Sequence, residues 1–173
     1  FYPKSPRYLC EMPDYMPANA RRVGVFVNED KQTIEMFADR FSLDFIQLHG
    51  NESPEYCRSL QLSGLKLIKA FPIASRKDLQ NVHNYSNFCK YFLFDTKCEQ
   101  RGGSGNQFDW SILHIYKGRT PFILSGGINP YSAKALKEFQ HPLLVGYDLN
   151  SRFEVKPGKK DAQRIHLFLN ELR

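Results

Sequence analysis

The chain has 173 residues, 42% of them hydrophobic and 14% aromatic, which excludes a disordered or low-complexity protein and suits one domain with a sizeable core. Its 24 Lys and Arg against 18 Asp and Glu give a net charge of +6, yet the basic residues are scattered, and the densest groups (Arg21-Arg22, residues 156–160) are too short to track a nucleic-acid backbone. No apolar run approaches the roughly 20 residues that span a bilayer, no leader pattern is visible, and Cys10, Cys57, Cys89 and Cys98 form no C-x-x-C pair. The expectation is a reduced, cytoplasmic protein without a nucleic-acid or membrane partner, its positive excess suited to a small phosphorylated ligand.

One pattern repeats along the chain. Short β-rich apolar runs occupy residues 22–27, 44–48, 66–71, 90–95, 121–124 and 143–147, each followed by a polar turn and a helix-like segment. After the first run, Ile34, Phe37 and Phe41 recur at helical spacing. After the second, Ser53-Pro54 reads as a helix cap and first helical position. After the third, Ser75 with Asp78 resembles a capping box opening a helix that contains Leu79 and Val82. After the fifth, Asn129-Pro130 reads as another cap and first position. After the sixth, Asp161 caps a last helix with Ile165, Phe168, Leu169 and Leu172 on one face.

Continuous apolar strands separated by helices predict a parallel sheet covered on both faces. Two closures compete, an open doubly wound sheet and a (β/α)₈ TIM barrel. Polar and glycine residues follow every strand (Asn28-Glu29, His49-Gly50, Asp95-Thr96, Ser125-Gly126-Gly127, Asp148), which favours the barrel, where all such turns meet at one mouth. Eight units of this size need roughly 200 residues. Six are complete, and Phe1-Tyr2 reads as the tail of one more strand. The count predicts a single partial barrel domain over residues 1–173, lacking the first strand, the first helix and most of the second strand.

The chemistry is expected in the turns. Ser125-Gly126-Gly127 is a natural anion cradle, since glycine lets backbone N–H groups approach an oxyanion; it reads equally as a tight turn needing positive φ. Asp95 ends a buried apolar run, where desolvation would favour its proton-donating form; it also reads as a capping or salt-bridged aspartate. Asp148 holds the equivalent place after the sixth run. The stretch 101–105 (Arg-Gly-Gly-Ser-Gly) reads as a mobile loop, with Gly102, Gly103 and Gly105 supplying its freedom. His49 sits at a strand end, and Arg7 could hold a carboxylate bidentately or remain an exposed loop residue. His83, His114, His141 and His166 lack metal-ligand spacing, so no metal is expected.

Taken together, these segments resemble the phosphoribosylanthranilate isomerase family of (β/α)₈-barrel enzymes in tryptophan biosynthesis. The match runs in order through residues 1–8 (FYPKSPRY), 23–28 (VGVFVN), 47–50 (QLHG), 94–97 (FDTK), 102–105 (GGSG) with 108–110 (FDW), 124–127 (LSGG) and 157–161 (PGKKD). The resemblance implies a cofactor-free Amadori rearrangement of N-(5′-phosphoribosyl)anthranilate to 1-(2-carboxyphenylamino)-1-deoxyribulose 5-phosphate. It implies Asp95 as the general acid, Arg7 on the anthranilate carboxylate, and Gly126, Gly127, Asn150 and Ser151 around the phosphate. His49 and Asp148 would lie beside the substrate.

Three departures stand out. The family's general base is a cysteine in a Lys-x-Cys-Gly motif on the first strand, which these residues do not contain, so the 173-residue form is expected to have little or no activity. The last loop reads Asp-Leu-Asn-Ser-Arg-Phe-Glu over residues 148–154 where the family commonly has Asp-Val-Ser-Ser-Gly-Val-Glu, so Arg152 replaces a glycine. Residues 9–21 are short for the usual second helix. Other readings are a related phosphate-binding barrel such as indole-glycerol-phosphate synthase, with Lys69 as its lysine, a non-catalytic phosphate-binding module, and a basic nucleic-acid binder. The sequence leaves the oligomeric state open, although an incomplete barrel exposes strand edges.

Overall fold

A computed structural model describes residues 5, 7, 19–96 and 110–173. All six expected strands form, each within one or two residues of its predicted span: β1 (Val23–Phe26), β2 (Phe45–Leu48), β3 (Leu67–Ile73), β4 (Cys89–Thr96), β5 (Phe122–Ser125) and β6 (Leu144–Tyr147). They make one sheet in the order β1-β2-β3-β4-β5-β6, every neighbouring pair parallel. A doubly wound sheet reverses its strand order at a switch point. No reversal occurs here, and the sequential order is that of a β/α barrel wall.

The helices α1 (Lys31–Arg40), α2 (Pro54–Leu62), α3 (Ala133–Glu138) and α4 (Ala162–Leu172) cover the outer face. Asp30 starts α1 by accepting from the Thr33 N–H, Ser53 starts α2 by accepting from Tyr56, and Asp161 starts α4 by accepting from Arg164. Between sheet and helices lies the main core, where Phe71, Phe92, Phe94, Tyr116 and Phe122 pack edge-on or tilted against one another. The opposite face holds a smaller cluster, Ile68, Ala70 and Leu93, with Phe45, Tyr91 and Ile123 against it. This second cluster is the barrel interior. On β1, an edge of the described sheet, the side chains registered with that face, Val23 and Val25, are about two-fifths exposed.

Three expected helical details differ. The segment after β3 is not an α-helix. The capping box of Ser75 and Asp78 forms, but it opens a single 3-10 turn, Arg76–Leu79, and a second follows at Val82–Tyr85. Leu79, Val82 and Tyr85 are three residues apart, a spacing that aligns on a 3-10 turn and drifts on an α-helix. Asn129 does not cap α3. Its side chain accepts from the Tyr131 N–H in a local turn, its own N–H donates to Ser132 Oγ, and the helix begins after Ser132. On α4, Phe168 is buried and Ile165 and Leu172 are half-buried, whereas Leu169 is exposed, one residue off the seam.

Beyond β6 a 3-10 turn (Ser151–Phe153) leads into a small antiparallel hairpin, β7 (Glu154–Lys156) and β8 (Lys159–Lys160). Phe153 inserts against Phe168, ring centroids 5.0 Å apart, and ties this loop to α4. Arg152 occupies ordinary backbone, because the only positive-φ residues other than glycine among those described are Asn28 and Ser42. An arginine therefore takes the family's glycine position without strain. The predicted glycine loop (Gly102, Gly103, Gly105), Cys10, Cys98 and most of residues 9–21 lie outside the described residues.

Candidate active site at the C-terminal ends of the strands

Because all six strands are parallel, their C-terminal ends meet on one rim, and alternation along each strand decides which side chains turn inward. Register and parity put Gln47, His49, Asp95 and Ser125 on the same side as Ile68, Ala70 and Leu93. His49 Nε2 lies 3.5 Å from Asp95 Oδ2, and His49 Nδ1 is 2.9 Å from the Gln47 side-chain amide nitrogen. Asp95 is registered with Ser125 on the next strand, and Ser125 Oγ donates to Asp148 Oδ2 at 2.8 Å. Two acids, a histidine and a hydroxyl thus line the rim from β2 to β6.

One expectation fails at Asp95. Its side chain is 38% exposed and shares the rim with His49, itself 35% exposed, so it is not a carboxyl desolvated by an apolar strand. The apolar part of β4 ends at Phe94, whose ring is buried in the outer layer, while Asp95 turns to the open mouth.

Next to Ser125, Gly126 and Gly127 take φ of 81° and 68°, the left-handed region open to glycine without penalty. Consecutive residues of this kind make a concave array of peptide groups suited to an oxyanion. Asn150 and Ser151 come after β6, both exposed, with Asn150 Oδ1 accepting from Lys160 Nζ at 2.8 Å. Arg7 grips Glu154. Its Nε lies 3.0 and 3.2 Å from the two carboxylate oxygens, and Nη2 completes the fork. Glu154 also accepts from Lys160 and from the Gly158 N–H. The Arg7 hydrogen bond, reinforced by Lys160, holds the Glu154 carboxyl down at about 2.

Behind the rim is a buried ion pair that the sequence did not reveal. Lys69 is on β3 but faces the helix layer, its side chain 3% exposed. Its ammonium sits 3.1 Å from Glu52 Oε2 and donates to the carbonyls of Leu48, Gly50 and Ala70. Glu52, 2% exposed, accepts from the Asn28 and Gly50 N–H groups. Leu48 and Gly50 flank His49, so the buried pair clamps the backbone on both sides of that residue. A Cβ on Gly50 would come within 2.7 Å of Glu52 Oε1 and closer to Asn28 Oδ1, so the clamp requires glycine there. Lys69 is therefore fully engaged on the wrong face for a catalytic lysine, which removes the observation that favoured an indole-glycerol-phosphate synthase.

Cys57 and Cys89 are buried in the outer layer, away from the rim. Cys57 beside it, together with burial, pushes the Cys89 thiol up. No group of three or more His, Cys, Asp or Glu among the described residues could hold a metal ion, and no helix among them is long and apolar enough to cross a membrane.

The family model for N-(5′phosphoribosyl)anthranilate (PRA) isomerase matches residues 11–171. The chain belongs to this family. The PRA isomerase of Phocaeicola vulgatus is 49% identical over the whole chain, which spans 84% of that relative, and the Thermotoga maritima isomerase is 37% identical with 85% of its length spanned. Among solved structures, the Thermotoga maritima PRA isomerase superposes with a TM-score of 0.76 at 36% identity, covering 91% of this chain and 75% of that one. A PRA isomerase in complex with reduced 1-(o-carboxyphenylamino)-1-deoxyribulose 5-phosphate superposes with a TM-score of 0.81 at 34% identity, covering 99% of this chain and 84% of that one. The fold is accordingly the TIM barrel of the PRA isomerases, of which six consecutive parallel strands are seen here.

Proposed function

We propose that the protein isomerises N-(5′-phosphoribosyl)anthranilate to 1-(2-carboxyphenylamino)-1-deoxyribulose 5-phosphate in tryptophan biosynthesis, by an Amadori rearrangement that needs no cofactor. The observation that carries this reading is the placing of Asp95 one strand from the Gly126–Gly127 turn, on the inner face of the rim. One strand spacing is about 4.8 Å, the scale of a ribose from its ring oxygen to its 5-phosphate.

In this reading Asp95 gives its proton to the furanose ring oxygen as the C1–O bond breaks, leaving an open-chain iminium. A base then removes the C2 proton, and the electron pair passes into the C1–C2 bond to give the enolamine, which tautomerises to the ketone. Gly126, Gly127, Asn150 and Ser151 hold the phosphate, while His49 and Asp148 line the sugar. Arg7 takes the anthranilate carboxylate; its fork on Glu154 has the required bidentate form, and Glu154 keeps Lys160 and the Gly158 N–H when Arg7 turns away. The family resemblance makes the base a cysteine. Cys57 and Cys89 are buried behind the sheet, away from the rim, and are not in place to serve as it. Reduced thiols side by side also fit a cytoplasmic setting.

Asp95→Asn, made in the protein expressed from its whole gene, tests the assignment through decay of the substrate's anthranilate fluorescence. An amide cannot protonate the ring oxygen, so turnover is expected to fall by roughly 10²–10⁴-fold or more, with binding of the product analogue within a few fold of the parent. Undiminished turnover would remove Asp95 as the acid.

A further inference from the structure

The assignment of Asp95 leaves open what aims the group beside it. Gln47 and His49 are two residues apart and share the inner face, and the Gln47 amide nitrogen reaches His49 Nδ1 at 2.9 Å. An amide nitrogen can only donate. A ring nitrogen that accepts carries no proton, so a neutral His49 ring bears its hydrogen on Nε2. That nitrogen faces Asp95 Oδ2 at 3.5 Å. The distance is longer than a well-formed N–H···O bond of about 2.9 Å, and catalytic hydrogen bonds commonly tighten when substrate binds.

We infer that Gln47 is a positioning residue of this site, holding His49 in the Nε2–H tautomer so that the imidazole donates to the carboxylate left on Asp95 once its proton has passed to the sugar. The arrangement has two layers. Lys69 and Glu52 fix the backbone on either side of His49 from behind the sheet, and Gln47 fixes the ring from the front. Without Gln47 the backbone would still be held, but either ring nitrogen could carry the proton. In the Nδ1–H form a lone pair on Nε2 would face the carboxylate, and the carboxylate would lose its donor.

The inference rests on Asp95 being the acid, and its test is separable from that reading. Long-range ¹⁵N–¹H correlation spectra of the histidine-labelled protein, expressed from its whole gene, report which ring nitrogen of His49 is protonated. The parent is expected to show Nε2–H. Gln47→Leu is expected to lose that preference. Gln47→Glu is expected to protonate Nδ1, since a carboxylate there can only accept. Both variants should lower kcat by roughly 10-fold, the scale of one lost hydrogen bond, with KM little changed. An Nδ1–H tautomer in the parent overturns the inference, as do His49 ring resonances unmoved in folded Gln47→Glu. Asp95→Asn with full turnover would instead sink the proposed mechanism while leaving the tautomer result intact.

Discussion

Replacing Lys69 by methionine keeps the length and most of the volume of the side chain while deleting its charge. Glu52 would then sit 2% exposed with two backbone N–H donors and no cation. Breaking a buried pair from one side costs about 3–5 kcal/mol, and the Leu48, Gly50 and Ala70 carbonyls each also lose the Lys69 donor. Against a typical total of about 5–15 kcal/mol, a loss of about 4 kcal/mol is severe. It corresponds to a fall of roughly 8–16 °C in Tm for a chain of this size. Glu52→Gln strands the Lys69 ammonium and should cost a comparable amount. In the double variant neither charge is stranded, so the two effects should fall short of additivity by about 1–3 kcal/mol. Urea unfolding of the four proteins closes the cycle. Additivity within about 0.5 kcal/mol would show that Lys69 and Glu52 act independently and that the clamp is misread.

Two further outcomes are expected. Glu154 is held at about 2 against an ordinary 4.5, so its pairing with Arg7 and Lys160 stabilises the fold above the ordinary value, and that contribution disappears as pH falls through the folded one. The stability difference between the parent and Glu154→Gln, from urea unfolding at successive pH values, should be constant above about pH 5 and shrink toward zero near pH 2; a pH-independent difference would refute the pairing. Gly127→Ala forces a Cβ into left-handed backbone at φ 68°, so it should destabilise by about 1 kcal/mol and weaken binding of inorganic phosphate. Unchanged stability and unchanged phosphate affinity would show that neither the turn nor the cradle depends on that conformation.

Much of the framework was legible in the chain itself. Six apolar runs marked six strands because a strand buried on both faces must be apolar at successive positions, and Ser53 and Asp161 mark helix starts through local capping chemistry. The rim residues His49, Asp95 and Asp148 could be named in advance because parallel strands carry their C-terminal turns to a common end. Their neighbourhoods could not. Asp95 looked desolvated because Phe94 and Leu93 precede it, but alternation sends Phe94 into the outer layer and Asp95 to the open mouth. Gln47, quoted within the 47–50 motif, was given no role although its signal was present, two residues before His49 on the same face.

Lys69 looked like a candidate catalytic lysine and proved to be the partner of Glu52, and Arg7 meets a glutamate 147 positions away. Short-range periodicity and capping are written into neighbouring residues, so the amino-acid order determined the elements and the end of the sheet where chemistry gathers. Which charge meets which, and which carboxyl is dry, depends on groups brought together from distant parts of the chain. Only packing of the helices onto the sheet sets those distances, so the tertiary structure alone decided them.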